Sequence, residues 1–377
     1  MDSGDDEPSS KTNWTTFAYA AGTILVGFLG VPLSFAGIVL ASSAATAIGK
    51  LTGAGCMLLA IAIQPFAWKR RAVGAALLLA ASACLGTVVA ARSPADPSAS
   101  TAVRLVGRAP SSLSLARWVS EIDQLFVGST LLTWFADEPA NEMERLRTDV
   151  RSVYREFDDD FRSVPSLLDD AVANECSGRS FVWGEAESAP DGDAIGRSLL
   201  FVHGYGGSWT GYLRVVRPIA TTLGARIVQP SCGIGLWKTE HELATFERFL
   251  TEESAPHGQL HLVALSNGGL AVSRRLEAVL VHATSLVLVS PGFDLEAIER
   301  IPEVSRRIPI LVLHGDADTR IPLAHVEAGI RRLRRLHLDV RLRVLEGADH
   351  YAFFHERVAV RREIADFLAD VARPGAR

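Results

Sequence analysis

The stretch Leu260-His261-Leu262-Val263-Ala264-Leu265-Ser266-Asn267-Gly268-Gly269 decides the fold. Its first six residues form an apolar run of strand length that ends in a turn, the pattern of a strand buried on both faces. Ser266 then stands where that strand breaks into a turn and a helix. Two roles compete for a serine there. It can cap the helix with its hydroxyl. Alternatively it can be a nucleophile elbow, with Oγ at the tip of a sharp turn and the next backbone N–H turned toward an oxyanion. An elbow needs small neighbours, because strand and helix pack closely and the serine backbone is strained. Gly268 meets that need two positions later, while Ala264 stands two positions earlier where glycine is usual. The choice depends on the rest of the chain.

Around this stretch, short apolar runs alternate with helical patterns. Strands are expected at Ser180–Trp183, Leu199–Val202, Ala225–Val228, Leu260–Leu265, Ser285–Val289, Ile308–Leu313 and Val340–Leu345. Helices are expected from about Trp237 to Glu252, from Ser266 through Leu280, and from Phe353 to Val371. Near-continuous apolar strands separated by helices imply a mostly parallel sheet with helices on both faces. In such sheets ligands gather at the carboxyl ends of the strands.

Three loops at those ends hold the residue types that acyl transfer requires. Ser266 follows one strand. His314-Gly315-Asp316-Ala317-Asp318-Thr319-Arg320-Ile321-Pro322 follows the next but one, and Glu346-Gly347-Ala348-Asp349-His350-Tyr351 follows the last. A serine hydroxyl is a weak nucleophile and needs a base within hydrogen-bond reach. Histidine suits that task because it is mostly neutral at pH 7, and His350 is the candidate. A carboxylate must then fix the tautomer of the ring and stabilise the imidazolium. Asp318 is the choice; Asp316 reads as a turn-shaping neighbour, and Asp349 is badly placed to orient the ring next to it. His355 is the rival base, but it falls inside the final helix.

The order serine, aspartate, histidine and the three loops together resemble the α/β-hydrolase superfamily, over roughly Ser180–Val371. His203-Gly204-Tyr205-Gly206-Gly207 looks like the oxyanion loop of that family. The resemblance implies that the backbone N–H groups of Tyr205 and Asn267 form the oxyanion hole, with His203, Gly204 and Gly268 in support. It also implies Ser266 as nucleophile, His350 as base and Asp318 as the orienting acid, with no metal and no organic cofactor. About eighteen residues separate the expected strands at Val289 and Ile308, which leaves no room for a large cap domain. The pocket is then either open or covered by the helical segment that precedes the sheet.

Composition adds a location. The 377 residues are 48% hydrophobic and 21% charged, with net charge −5. No long basic block points to nucleic acid. Arg331-Arg332-Leu333-Arg334-Arg335 reads as a solvated helix face, with Ile330, Leu333 and Leu336 as its apolar stripe. Between Phe17 and Ala91 the charged residues are Lys50, Lys69, Arg70 and Arg71. They divide the stretch into apolar runs at about 17–41, 51–68 and 72–91, the lengths membrane helices need. Trp14 and Trp68 stand where interfacial aromatics sit.

The expected organisation is a cytoplasmic tail (1–16), a multi-pass transmembrane region (17–91), a linker (92–112), a helical segment (113–175) and a catalytic domain (176–377). Lys69-Arg70-Arg71 should stay cytoplasmic, which puts the catalytic domain outside. Arg92, Arg104 and Arg108 pull the other way by the same rule. An oxidising exterior would permit a bridge between Cys176 and Cys232.

The expected function is a membrane-anchored serine hydrolase that cleaves a small-molecule or lipid carboxylic ester through an acyl-enzyme. A peptidase or thioesterase would use the same residues. A membrane-tethered binding protein on a non-catalytic hydrolase fold is the alternative of another class, and a channel or transporter a third; no charge lies within any expected span to serve transport. His203 and His314 read as structural. Trp209 and Tyr212 are either pocket or core residues. His257 and His261 flank or occupy a strand rather than sharing a helix face, so a metal pair there is not expected. Cys232-Gly233-Ile234-Gly235 lacks the context of a dinucleotide loop.

Overall fold

Eight strands form one sheet in the order β1-β2-β4-β3-β5-β6-β7-β8. They are β1 (Val103–Val106), β2 (Ser180–Trp183), β3 (Arg197–Val202), β4 (Ala225–Pro230), β5 (Gln259–Leu265), β6 (Ser285–Val289), β7 (Ile310–Gly315) and β8 (Val340–Leu345). β1 pairs antiparallel with β2 and β2 with β4, while the pairs from β4 through β8 are parallel. The computed structural model describes residues 30–67, 71–91, 103–111, 114–135, 138–157, 164–184, 196–254, 258–304 and 306–372. Strand order, direction and intervening helices make the sheet α/β-hydrolase-like.

Both faces of the central strands are covered, as their continuous apolar sequence requires. Alternate residues point to opposite faces. Leu200, Val202, Leu262, Ala264, Leu286, Leu288, Ile310 and Val312 join one core with Trp237, Phe246 and Leu250. On the other face Phe201 stacks on Tyr212 and packs against Phe353. A fully buried side chain of this kind contributes about 1.5–3 kcal/mol. β8 lies at an edge and carries Arg341 and Arg343, which pair with Asp370 and Glu363. Charged side chains on an edge strand discourage pairing with another chain.

Several sequence-derived boundaries shift. The stretch 92–112, expected to be a linker, contains β1. Four alternating residues among Ser, Pro and Arg give little periodic signal, and pairing with β2 supplies the rest. The strand expected to end at Leu313 runs on through His314 and Gly315. The helix expected from Trp237 spans Glu240–Ser254. It starts late because Thr239 and Glu242 form a capping box: Glu242 N–H donates to Thr239 Oγ1 (3.2 Å) and Thr239 N–H to Glu242 Oε2 (2.7 Å). The helix after Ser266 divides at Arg275 into Gly268–Arg274 and Leu276–His282. The last helix divides at Glu356 into Ala352–His355 and Arg357–Ala372.

The chain separates into two units, residues 94–121 with 139–377, which hold the sheet, and residues 1–93 with 122–138. In the second of these, apolar helices span Gly30–Ser43, Ala47–Ala67 and Arg71–Ala91. Asp123, fully buried, accepts from Thr46 N–H (2.8 Å) and Thr46 Oγ1 (2.7 Å) at the start of helix Ala47–Ala67. Three spanning helices were expected; among the described residues one, Ala72–Ala91, is long and apolar enough to cross a membrane. The stretches Gly30–Ser43 and Ala47–Ala62 are apolar but shorter. Most of the first expected span, with Trp14 and the tail, lies outside the described residues, as does Trp68.

Candidate active site

Between β4 and β5 the chain changes from one side of β3 to the other, so the carboxyl ends of β3 and β5 open onto a crevice. Ser266 and His203 stand at those two ends. Ser266 has φ +50°, a left-handed backbone that a non-glycine residue adopts only when its surroundings hold it there. Three backbone hydrogen bonds hold it: Ser266 N–H donates to Val289 O, and its carbonyl accepts from Gly269 and Gly292 N–H. Gly268 is required because a Cβ there would lie 2.6 Å from the Val202 carbonyl oxygen. Ser266 Oγ does not cap the helix. It lies 3.0 Å from His350 Nε2.

His350 Nδ1 in turn lies 2.8 Å from Asp318 Oδ2. The second carboxylate oxygen of Asp318 accepts from Arg320 N–H (3.0 Å) and Ile321 N–H (2.9 Å). Burial acts to raise the Asp318 pKa. The hydrogen bond and charge of His350, with the Ile321 N–H and His314, outweigh it and hold the carboxyl below its ordinary value. A carboxylate so held keeps the Nδ1 proton on His350 and leaves Nε2 as the acceptor facing Ser266. The three residues brought together are those expected from their order in the chain.

The remaining carboxylates and histidines divide cleanly. Asp316 Oδ1 accepts from Gly347 N–H (2.6 Å), so it ties the loop after β7, the acid loop, to the loop after β8, the histidine loop, rather than only shaping its own turn. Asp349 accepts from Tyr351 N–H. His355 Nδ1 meets Asp149 Oδ2 at 2.6 Å, with Asp349 3.5 Å from its other nitrogen. His314 Nε2 bonds Ile321 O (2.8 Å), and burial lowers its pKa. His261 Nδ1 pairs with Ser285 Oγ (2.8 Å) inside the sheet; His257 lies outside the described residues. Among the described residues no three His, Cys, Asp or Glu side chains could hold a metal ion.

The loop expected to hold an oxyanion is set by His203. Burial pushes this ring down to about 4, so it is neutral near pH 7. Cys232 N–H donates to Nε2 (3.1 Å), which leaves Nδ1 to carry the proton and donate to Gly204 O (2.8 Å). Because a trans peptide is planar, fixing the Gly204 carbonyl turns the Tyr205 N–H the opposite way. Trp237 Nε1 donates to His203 O (3.1 Å) and Gly206 N–H to Ile234 O. Tyr205 is half exposed. Trp209 bonds Gly206 O through its indole (2.8 Å), and Tyr212 is a core ring against Phe201, Phe353 and Phe354.

Of two further contributions, the first is absent from the expectations and the second was left open by them. Helix Ala140–Glu156, inside the segment whose role was open, braces the histidine loop. Asp149 meets His355, Arg145 pairs with Asp349 and Glu356, and Tyr351 Oη lies 4.0 Å from Met143 Sδ. Its own sequence offered only amphipathic spacing. The second is the disulfide that joins Cys176 and Cys232. Spacing allowed that pair without requiring it.

No curated protein matches the chain. The model of the prolyl oligopeptidase family matches residues 291–374, a stretch that contains Asp318 and His350 but not Ser266. Similar solved structures include esterase PE8, at 18% identity and TM-score 0.40 over 50% of this chain and 97% of that one. Est1E from Butyrivibrio proteoclasticus is similar at 13% identity and TM-score 0.40, over 51% and 94% of the two chains. Thermogutta terrifontis esterase 2, phosphorylated by paraoxon, is similar at 14% identity and TM-score 0.41, over 52% and 89%.

Proposed function

We propose that the protein is a membrane-anchored serine hydrolase that cleaves a carboxylic ester through an acyl-enzyme. The observation that carries the reading is the continuous chain Asp318 Oδ2, His350, Ser266 Oγ at 2.8 and 3.0 Å, ending on a serine with φ +50°. Ser266 Oγ attacks the carbonyl carbon while His350 Nε2 takes its proton. The N–H groups of Tyr205 and Asn267 hold the oxyanion. His350 returns the proton to the leaving alcohol, and water then attacks the acyl-enzyme by the same route in reverse. No metal or organic cofactor enters these steps.

A second reading, peptide cleavage on the same triad, is favoured by the prolyl oligopeptidase family match over the acid and histidine loops. Anchoring is supported by the apolar helix Ala72–Ala91. A catalytic domain on the extracytoplasmic side is supported by its disulfide, since such bonds persist in oxidising compartments. The test pairs a fluorophosphonate probe with a substrate panel. The wild type should be labelled and Ser266→Ala should not. Short and long acyl esters, thioesters and aminoacyl amides then rank the substrates, and a protein that turned over only the amides would replace the ester reading. Protease protection of sealed vesicles reports the side on which the catalytic domain lies.

A further inference from the structure

The Cys176–Cys232 disulfide stands outside the triad, yet the turn it holds packs on the Gly204 carbonyl, in the peptide that carries the Tyr205 N–H, and bonds the Asn267 side chain. Cys232 donates its own N–H to His203 Nε2, and the same ring fixes the Gly204 carbonyl. Three links therefore run from the disulfide to the Tyr205 N–H. A second route passes through Gly235, whose carbonyl accepts from Asn267 Nδ2 (3.2 Å). Gly235 has φ +78° and packs so closely on the Gly204 carbonyl that a Cβ would collide with it. Residues 232–235 thus form a plate against His203, Gly204, Gly206 and the Asn267 side chain, the neighbours of both proposed donors.

On its far side the plate is fastened to the segment that carries Cys176. Gly233 N–H donates to Glu175 O and Ile234 N–H to Asn174 Oδ1, both at 3.0 Å, and Ser231 N–H donates to Arg179 O. That segment is itself anchored by the buried ion pair of Arg179 with Asp170. The disulfide is the covalent member of this seam. Both cysteines are buried, so their side chains lie within the packing rather than on a free loop.

We propose that the Cys176–Cys232 disulfide is a positioning bond for the oxyanion hole, so that the enzyme turns over when oxidised and is silenced by a dithiol. The inference rests on the serine-hydrolase reading. In the reduction, one thiolate of the dithiol attacks a cysteine sulfur and releases the other cysteine as its thiol. The second thiol of the reagent then displaces the first cysteine. Two electrons and two protons pass to Cys176 and Cys232, and the reagent leaves as a cyclic disulfide.

The experiment uses the full chain in detergent, with Cys56→Ala and Cys84→Ala to remove the two other thiols. Oxidised and dithiol-treated samples are compared for kcat, KM, far-ultraviolet circular dichroism and affinity for a trifluoromethyl ketone, whose tetrahedral adduct needs the hole. Loss of a whole oxyanion donor costs about 10²–10³ in kcat, and a displaced one should cost at least about tenfold. The reduced form should lose kcat and ketone affinity by the same factor, keep KM within about twofold, and recover on reoxidation. Full kcat in a sample whose Cys176 and Cys232 are both alkylated by iodoacetamide would overturn the proposal.

If reduction unfolds the protein, Asn174→Gly decides. It keeps the left-handed backbone of an exposed residue and removes only the acceptor for Ile234 N–H. A matched fall of kcat and ketone affinity supports the seam; unchanged values refute it. An oxidised wild type that neither hydrolyses the panel nor reacts with fluorophosphonate would instead sink the underlying hydrolase reading.

Discussion

Two histidine–aspartate pairs stand five residues apart in the chain, and only one of them faces a serine. His350 on the loop after β8 bonds Asp318 at 2.8 Å and Ser266 at 3.0 Å. His355, at the end of helix Ala352–His355, bonds Asp149 at 2.6 Å and has a second carboxylate, Asp349, at its other nitrogen. The ring of Tyr351 packs edge-on against both. The pairs share chemistry and differ in what occupies Nε2. His350 Nε2 faces the Ser266 hydroxyl, as the proposed base requires, whereas the Nδ1 bond of His355 to Asp149 makes that ring a clamp on helix Ala140–Glu156.

The largest expected effect tests the first pair. Replacing His350 with Ala should lower kcat by about 10⁶, measured on the best ester of the panel. A loss below tenfold would mean the pairs are assigned the wrong way round. Asp318→Asn should cost about 10⁴, because the amide favours the wrong tautomer while the fold stays intact. Circular dichroism and the residual rate, read together, check that outcome.

A third kind of histidine sharpens the contrast. Among the described residues, no carboxylate hydrogen-bonds to the ring of His203 or His261; burial pushes each down to about 4, outweighing the charges of Asp170 and Glu242 near His203. The unfolded chain binds a proton near pH 6.5 that these folded rings refuse until about 4. Stability is therefore full above about 6.5 and declines as pH falls toward 4. Between pH 7 and 5 each ring should remove about 2 kcal/mol, read from urea unfolding at the two values. A flat profile would mean the rings are not desolvated as described.

The smallest effect belongs to the clamp. His355→Asn should destabilise the protein by about 1–2 kcal/mol through loss of the Asp149 bond, with kcat changed by only a few-fold. Loss of activity as deep as that of His350→Ala, in a folded variant, would make His355 part of the chemistry.

Much of the fold was legible because its strands are apolar on both faces and its turns carry glycine. The run from Leu260 to Leu265 announces a buried strand without any partner in view. Ser266, Asp318 and His350 could be chosen together because each follows a strand end. β1 was not legible: Val103–Val106 is a strand through its hydrogen bonds with β2, and four residues cannot state that alone. The brace from Arg145 and Asp149 was equally hidden, since charged residues on an amphipathic helix look the same facing solvent or facing a histidine.

The sequence by itself determined which atoms are available: a serine at a strand end, an acid and a histidine in order after it, and two cysteines beyond the apolar N-terminal stretch. Local pattern suffices for these because strand period and turn chemistry are properties of neighbouring residues. Only the tertiary structure decided what each atom faces. It turned Ser266 Oγ toward His350 instead of the helix, gave His355 to Asp149, and placed Cys232 against His203. Those choices are made by contacts between residues distant in the chain, which no window along it contains.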